Sequence, residues 1–216
     1  MVYLCLMPNT AKENILKKIR QALSTPVPIP FAGSEGNDSV YQPQLQEPEI
    51  EFAENFTKLL GTFSYCADEQ ELAEQLQVLA EKRQWQKIYC RDGAIKSILQ
   101  QNNYSPNWFA DLNTCSVSIT DCELLVARTG SIVMSSGQAS GRTTSVYAPV
   151  HICIAYTSQL VYDIKEGLQK LKEKYTGNLP SLITFASGPS RTADIEKTLV
   201  VGIHGPKEVY VFLVEG

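Results

Sequence analysis

From residue 49 onward the chain alternates two kinds of segment, and that alternation constrains the fold more than any single residue does. EIEFAENFTKLLG (49–61) places its apolar residues at helical spacing and stops at Gly61. DEQELAEQLQVLAEKR (68–83) does the same behind an Asp68 cap with Glu71 three residues on, a capping box. Short apolar runs lie between and after these helices: Thr62–Cys66, 87–90, 116–120, 124–128, 131–135, 151–156 and 181–187. A short helix is expected near 93–101 and a longer one over 159–174 (QLVYDIKEGLQKLKEK). The tail reads as a strand at 197–201, a turn at 204–206 and a last strand at 209–214. Strands separated by helices build βαβ units, so a parallel sheet is expected, with 181–187 as its last strand. Thr129 and Gly130 form a tight turn or bulge between two strands of an added, mostly antiparallel element.

The rest of the chain sets boundaries. Residues 10–24 carry Ile15, Leu16, Ile19, Ala22 and Leu23 at helical spacing, behind a possible Thr10 cap with Glu13. Pro26, Pro28 and Pro30 forbid continuation, and the stretch to residue 48 is rich in Pro, Gly, Ser and Gln. Three regions follow: a leader and helix over 1–24, a linker over 25–48, and a folded domain over 49–216. The 216 residues carry 19 Lys+Arg against 23 Asp+Glu, net −4, so a basic nucleic-acid footprint is absent. Six cysteines are sparse for a disulfide scaffold, and no CxxC spacing exists to hold zinc or an iron–sulfur cluster. No metal site is expected. The opening MVYLCLM lacks a basic flank and ends at Pro8, a poor signal peptide. The uncharged run 143–162 is too polar to span a membrane, so the expected location is the cytoplasm.

Chemistry concentrates late in the chain. Between 124 and 162 the only charged residues are Arg128 and Arg142. The segment SLITFASGPSRTADIEKTLVVGIHGP (181–206) runs an apolar strand into Gly188, Pro189, Ser190, Arg191 and Thr192. Open α/β sheets bind ligands beyond the carboxyl ends of their strands, and a guanidinium fork matches a carboxylate or phosphate. Asp194 and Glu196 read either as acids in the first turn of a following helix or as partners for Arg191. His204, between Gly202 and Gly205, reads as a turn residue that hydrogen-bonds or titrates. His151 reads as a satisfied strand-end residue. The GxSxG, GxxxxGK[ST] and GxGxxG motifs are all missing. The candidate anion site is therefore Thr129, Gly130, Arg142, Gly188, Ser190, Arg191, Thr192, Asp194, His204 and Gly205, with Arg142, Arg191 and His204 expected in one cleft.

GPSRTADIE (188–196), a valine strand and GIHGP (202–206) resemble the lactate-utilisation protein C, or LUD-domain, family. The helix ENILKKIRQAL, the Pro-rich linker and the TG-containing strand pair fit as well, so the resemblance covers residues 10–214. It implies a NagB/RpiA/CoA-transferase-like α/β three-layer sandwich, with a mostly parallel central sheet plus a smaller antiparallel element. It also implies a role beside iron–sulfur oxidoreductase partner subunits in oxidising L-lactate to pyruvate, with the clusters on the partners and no cofactor here. One departure stands out: where the family commonly has Glu before Thr-Gly, this chain has Arg128. Two other functions stay open. One is a stand-alone CoA-transferase-like or sugar-phosphate-isomerase-like enzyme, whose nearest reactive groups are Glu123, Asp194, Glu196 and His204. The other is an adaptor that makes contact through helix 10–24.

Overall fold

A computed structural model of the chain describes residues 11–24, 44, 46–193, 199–202 and 204–216. It divides into two units, residues 1–42 and 43–216. The first contains α1 (Ala11–Leu23), whose Ile15, Leu16 and Ile19 are exposed. No helix among the described residues is long and apolar enough to cross a membrane.

The second unit begins with α2 (Pro48–Lys58), started by a proline whose missing N–H costs nothing in a first turn. Then come β1 (Thr62–Cys66), α3 (Glu69–Arg83), β2 (Ile88–Cys90) and α4 (Gly93–Gln101). Asp68 accepts from the Glu71 N–H at 2.8 Å to start α3, and Asp92 accepts from Ala94 and Ile95 to start α4. The chain continues through β3 (Val117–Thr120), β4 (Leu124–Val126), β5 (Ser131–Ser135), the single-turn α5 (Thr144–Tyr147), β6 (Val150–Tyr156) and β7 (Leu160–Val161). It closes with α6 (Ile164–Lys174), β8 (Ile183–Ala186), β9 (Arg191–Ala193), β10 (Leu199–Val201) and β11 (Glu208–Val214).

Five strands form a parallel sheet in the order β1-β11-β6-β3-β2. A second sheet, β7-β4-β5-β8, is mixed: β5 is antiparallel to both neighbours and β7 is parallel to β4. The α/β class and parallel core expected from the alternation are present, and the added element is a full four-stranded layer. Period-two patterning explains the stack. On β11, Tyr210, Phe212 and Val214 pack with Leu72 and Leu76 of α3 and Leu99 of α4. Val209, Val211 and Leu213 face the other way, onto Leu125 and Ile132 of the mixed sheet and Phe52 and Phe56 of α2. Beyond the mixed sheet, Leu124, Val126 and Val133 pack with Leu171 of α6. Each such side chain contributes about 1.5–3 kcal/mol on burial.

Three expectations need correction. Residues 159–174 are not one helix: Leu160 and Val161 pair with β4, and Asp163 then caps α6 through the Lys165 N–H. Residues 181–187 do not form a parallel strand, because β8 runs antiparallel to β5. The last strand of the parallel sheet is not 181–187 but β11, which inserts between β1 and β6.

Candidate functional site

The register of β5 on β8 sorts the candidate residues. Ile132 pairs with Ala186 and Ser135 with Ile183. Residues just before β5 therefore stand beside the end of β8, and residues just after β5 stand beside its start. At the first place Thr129 Oγ1 meets Ser131 Oγ at 2.8 Å, and Ser131 Oγ meets Ser187 Oγ at 2.6 Å. Gly130 and Gly188 both have positive φ, +55° and +91°. A Cβ on Gly130 would lie 2.5 Å from the Phe56 nitrogen, and one on Gly188 2.5 Å from the Leu59 carbonyl oxygen. Both turns thus close onto the last turn of α2, where Asn55 Nδ2 donates to the carbonyls of Ala127 and Arg128. Arg191 Nη2 donates to the Leu59 carbonyl at 2.9 Å. A cation suits that end of a helix, where carbonyls lack partners and the dipole is negative.

Arg142 lies elsewhere. It donates to Ser181 Oγ, ahead of β8, whereas Arg191 lies past the far end of that strand. The expected convergence of Arg142 with Arg191 does not form, because antiparallel pairing sends the 136–143 loop to the opposite end of β8.

Residues 188–193 and 202–206 do meet. The Ser190 N–H donates to the Pro206 carbonyl at 3.0 Å, and the Gly202 N–H to the Ser190 carbonyl at 2.8 Å. Arg191, Thr192 and Ala193 form β9, antiparallel to β10. The reading of Asp194 and Glu196 as first-turn acids or as partners of Arg191 lies outside the described residues. Gly205 packs on Ser190, leaving no space for a side chain.

A groove of about 440 Å³ opens beside this hairpin, lined by Tyr147, Pro149, Gly202, His204, Gly205 and Lys207 with Val146. It lies at the amino ends of β6 and β11, where the Lys207 N–H donates to the Pro149 carbonyl at 2.7 Å. His204 and Lys207 are exposed, and no carboxylate belongs to the described lining. The nearest acid in sequence, Glu208, is held by Arg83 and by the Tyr210 hydroxyl. The groove therefore presents an ammonium, an imidazole, a phenol and two glycines, a donor-rich set suited to an anion.

The remaining titratable candidates are occupied. His151 is buried, its Nε2 2.8 Å from Thr120 Oγ1, and burial pushes its pKa down to about 4. Arg128 Nε pairs with Asp163 at 2.6 Å. Burial pushes Asp163 up, but the Lys165 N–H and the Arg128 guanidinium outweigh it and hold the carboxyl below its usual range. The buried Glu123 carboxylate accepts from Ser135 Oγ, the Tyr175 hydroxyl and Lys174 Nζ at 2.5, 2.6 and 2.7 Å. Those donors outweigh burial and keep its pKa low.

A model of the LUD domain matches residues 50–214, three quarters of the chain. This chain belongs to the LUD-domain family. The curated relatives that it resembles include the lactate utilization protein C of Halalkalibacterium halodurans, 39% identical over 101 residues, which cover 46% of this chain and 44% of that protein. The protein of the same name from Shouchella clausii is 33% identical over 118 residues, covering 54% and 52%. The match thus spans about half the length of these relatives. Among solved structures, a DUF162-family protein from Deinococcus radiodurans superposes with a TM-score of 0.57 at 16% identity, covering 77% of this chain and 96% of that one, a likeness of fold.

Within this LUD domain, sequence reasoning missed Lys207 and Tyr147. Lys207 follows the HGP turn directly, so its signal was a lone cation after a glycine–proline turn. Tyr147 had no local signal; it reaches the groove because α5 ends three residues before β6 begins.

Proposed function

We propose that this LUD domain is a lactate-utilisation subunit that holds a small carboxylate, of the lactate or pyruvate class, in the groove of Lys207, His204 and Tyr147. Its partners carry the iron–sulfur centres and the redox chemistry, and it works in the cytoplasm with no cofactor of its own. The observation that carries the anion reading is the groove lining, which combines two basic side chains and a phenol with no carboxylate among the described residues. A bound carboxylate accepts from Lys207 Nζ and the Tyr147 hydroxyl, charge-assisted bonds worth about 1.5–3 kcal/mol each. Glycines 202 and 205 let it approach the backbone closely. The relatives named lactate utilization protein C support the lactate context. Of the groups a stand-alone enzyme would use, Glu123 is already committed to three donors, His204 lines this groove, and Asp194 and Glu196 lie outside the described residues.

Calorimetric titration of lactate and pyruvate into the wild-type chain, Lys207→Gln and Arg191→Lys tests this reading. Lys207→Gln is expected to weaken binding about tenfold, the worth of one such bond, with thermal stability unchanged. Arg191→Lys is expected to lower stability by about 0.5 kcal/mol through its contact with α2 and to leave affinity within about twofold. Equal losses of affinity would move the ligand onto the guanidinium. Absence of binding to the wild type, or lactate-dependent dye reduction by the chain alone, would overturn the proposal.

A further inference from the structure

The two outer strands of the parallel sheet differ in what lies beside them. On β2, Trp108 bridges to Ile88 and the Phe109 N–H donates to the Ile88 carbonyl at 2.8 Å, so that edge is covered. β1 is the outer strand at the other end, and no strand or bridge lies on its free side among the described residues. An open strand edge invites a second chain, and folded proteins usually cover or blunt it.

Along β1 runs a groove of about 520 Å³, with Thr62, Ser64 and Phe212 on its floor and Glu74, Val78 and Lys82 of α3 on its wall. Those three wall residues recur every four positions, so they form one stripe along the helix. Val78 is 63% exposed, more than any other large apolar side chain described. A β-branched residue is a poor helix former, so an exposed valine in mid-helix brings no local advantage. Glu74 accepts only from Gln70 on its own helix, and Lys82 is exposed with no ion-pair partner among the described residues. Glu71, the other charge on this wall, is held by the Ala67 N–H and by Gln75 Nε2.

The stripe thus reads acid, apolar centre, base, at equal intervals. A second α3 laid on it antiparallel, with the two Val78 side chains at a twofold axis, sets Glu74 of each copy opposite Lys82 of the other. Laid parallel, it would set like charges together.

We propose that this face is a homodimer interface, in which two copies of the chain pair through α3 across a twofold axis beside β1. Each Val78 enters the other copy's groove, and each Glu74 meets a Lys82. One patch meets itself, as a twofold contact requires. The pairing covers both valines and shields the open edge of both sheets. No residue of the Lys207 groove belongs to it.

Sedimentation equilibrium of the full chain tests the pairing. At about 100 µM the wild type is expected to show the mass of two copies and to dissociate on dilution, since one helix pair makes a small interface. Glu74→Lys and Lys82→Glu each bring like charges together on both sides of the axis and should weaken the dimer about tenfold. The double variant Glu74→Lys/Lys82→Glu restores opposite charges and should return to within about threefold of the wild type. Val78→Lys should abolish pairing. Because Val78 is exposed and lysine is a good helix former, that variant should melt at the temperature of the dissociated wild type. A wild type that stays monomeric would overturn the proposal and leave the groove to a different protein. So would a dimer that persists in Val78→Lys, or a double variant weaker than either single one.

Discussion

At the amino ends of β6 and β11 the groove is shaped by backbone: Gly202, Gly205 and Pro149 set its walls, and its basic side chains, His204 and Lys207, are exposed. Past the carboxyl end of β3 the polar chemistry is carried instead by a buried side chain, Glu123, fixed by three donors. The two edges of one sheet are therefore sensitive to different changes. At the first edge the fold tolerates side-chain exchange, which alters binding without loss of stability, and is destabilised when a glycine gains a Cβ. A side-chain-built site tolerates loss of charge or of a donor poorly, because the Glu123 carboxylate and the Ser135 hydroxyl are buried.

The largest expected effect lies at the carboxyl edge. Glu123→Ala leaves Ser135 without its acceptor and unties Lys174 and Tyr175 from β4, and should cost about 3 kcal/mol in urea unfolding. A cost under about 1 kcal/mol would mean that the carboxylate is poised for chemistry rather than structure.

His151 sharpens the comparison, since it is a buried titratable group near the amino edge. Its folded pKa is pushed from 6.5 down to about 4 by burial, so between those values the unfolded chain binds the extra proton. Its contribution is complete above pH 6.5 and is lost as pH falls through about 4. That loss amounts to about 3 kcal/mol at most, and smaller at the mildly acid pH where unfolding can be measured. Urea midpoints between pH 7 and 5 should fall with acid, and His151→Gln should flatten the slope.

A smaller effect is expected from Gly188→Ala, which puts a Cβ against the Leu59 carbonyl at positive φ and should cost about 2 kcal/mol. Gly93→Ala is the control, since nothing lies near that position, and its melting temperature should stay within a degree or so of the wild type. Equal effects at the two glycines would break the view that backbone shapes this end of the molecule.

Much of the fold was legible because its signals are local. The Asp68 cap, the stop at Gly61 and the apolar runs of β6 and β11 each involve residues a few positions apart. Residues 159–174 misled because Leu160, Val161 and Ile164 fit a helical stripe, while the two-residue pairing of β7 with β4 needs a partner 35 residues away. The direction of β8 was hidden for the same reason: a buried strand has the same apolar pattern whether its neighbour runs with it or against it. At the site, the nearness of 188–193 to 202–206 was readable as two loops of one kind. Their union through Ser190 and Pro206 was not.

The sequence by itself determined most of the elements, the presence of a parallel core and the family, because those rest on side-chain period, caps and a motif run of adjacent residues. Only the tertiary structure decided which candidates share a place. Register pairs residues far apart in the chain, and a strand of four residues has two ends. That pairing put Thr129 and Gly130 with Gly188 and Arg191, sent Arg142 to the other end of β8, and left Lys207 and Tyr147 to line the groove beside His204.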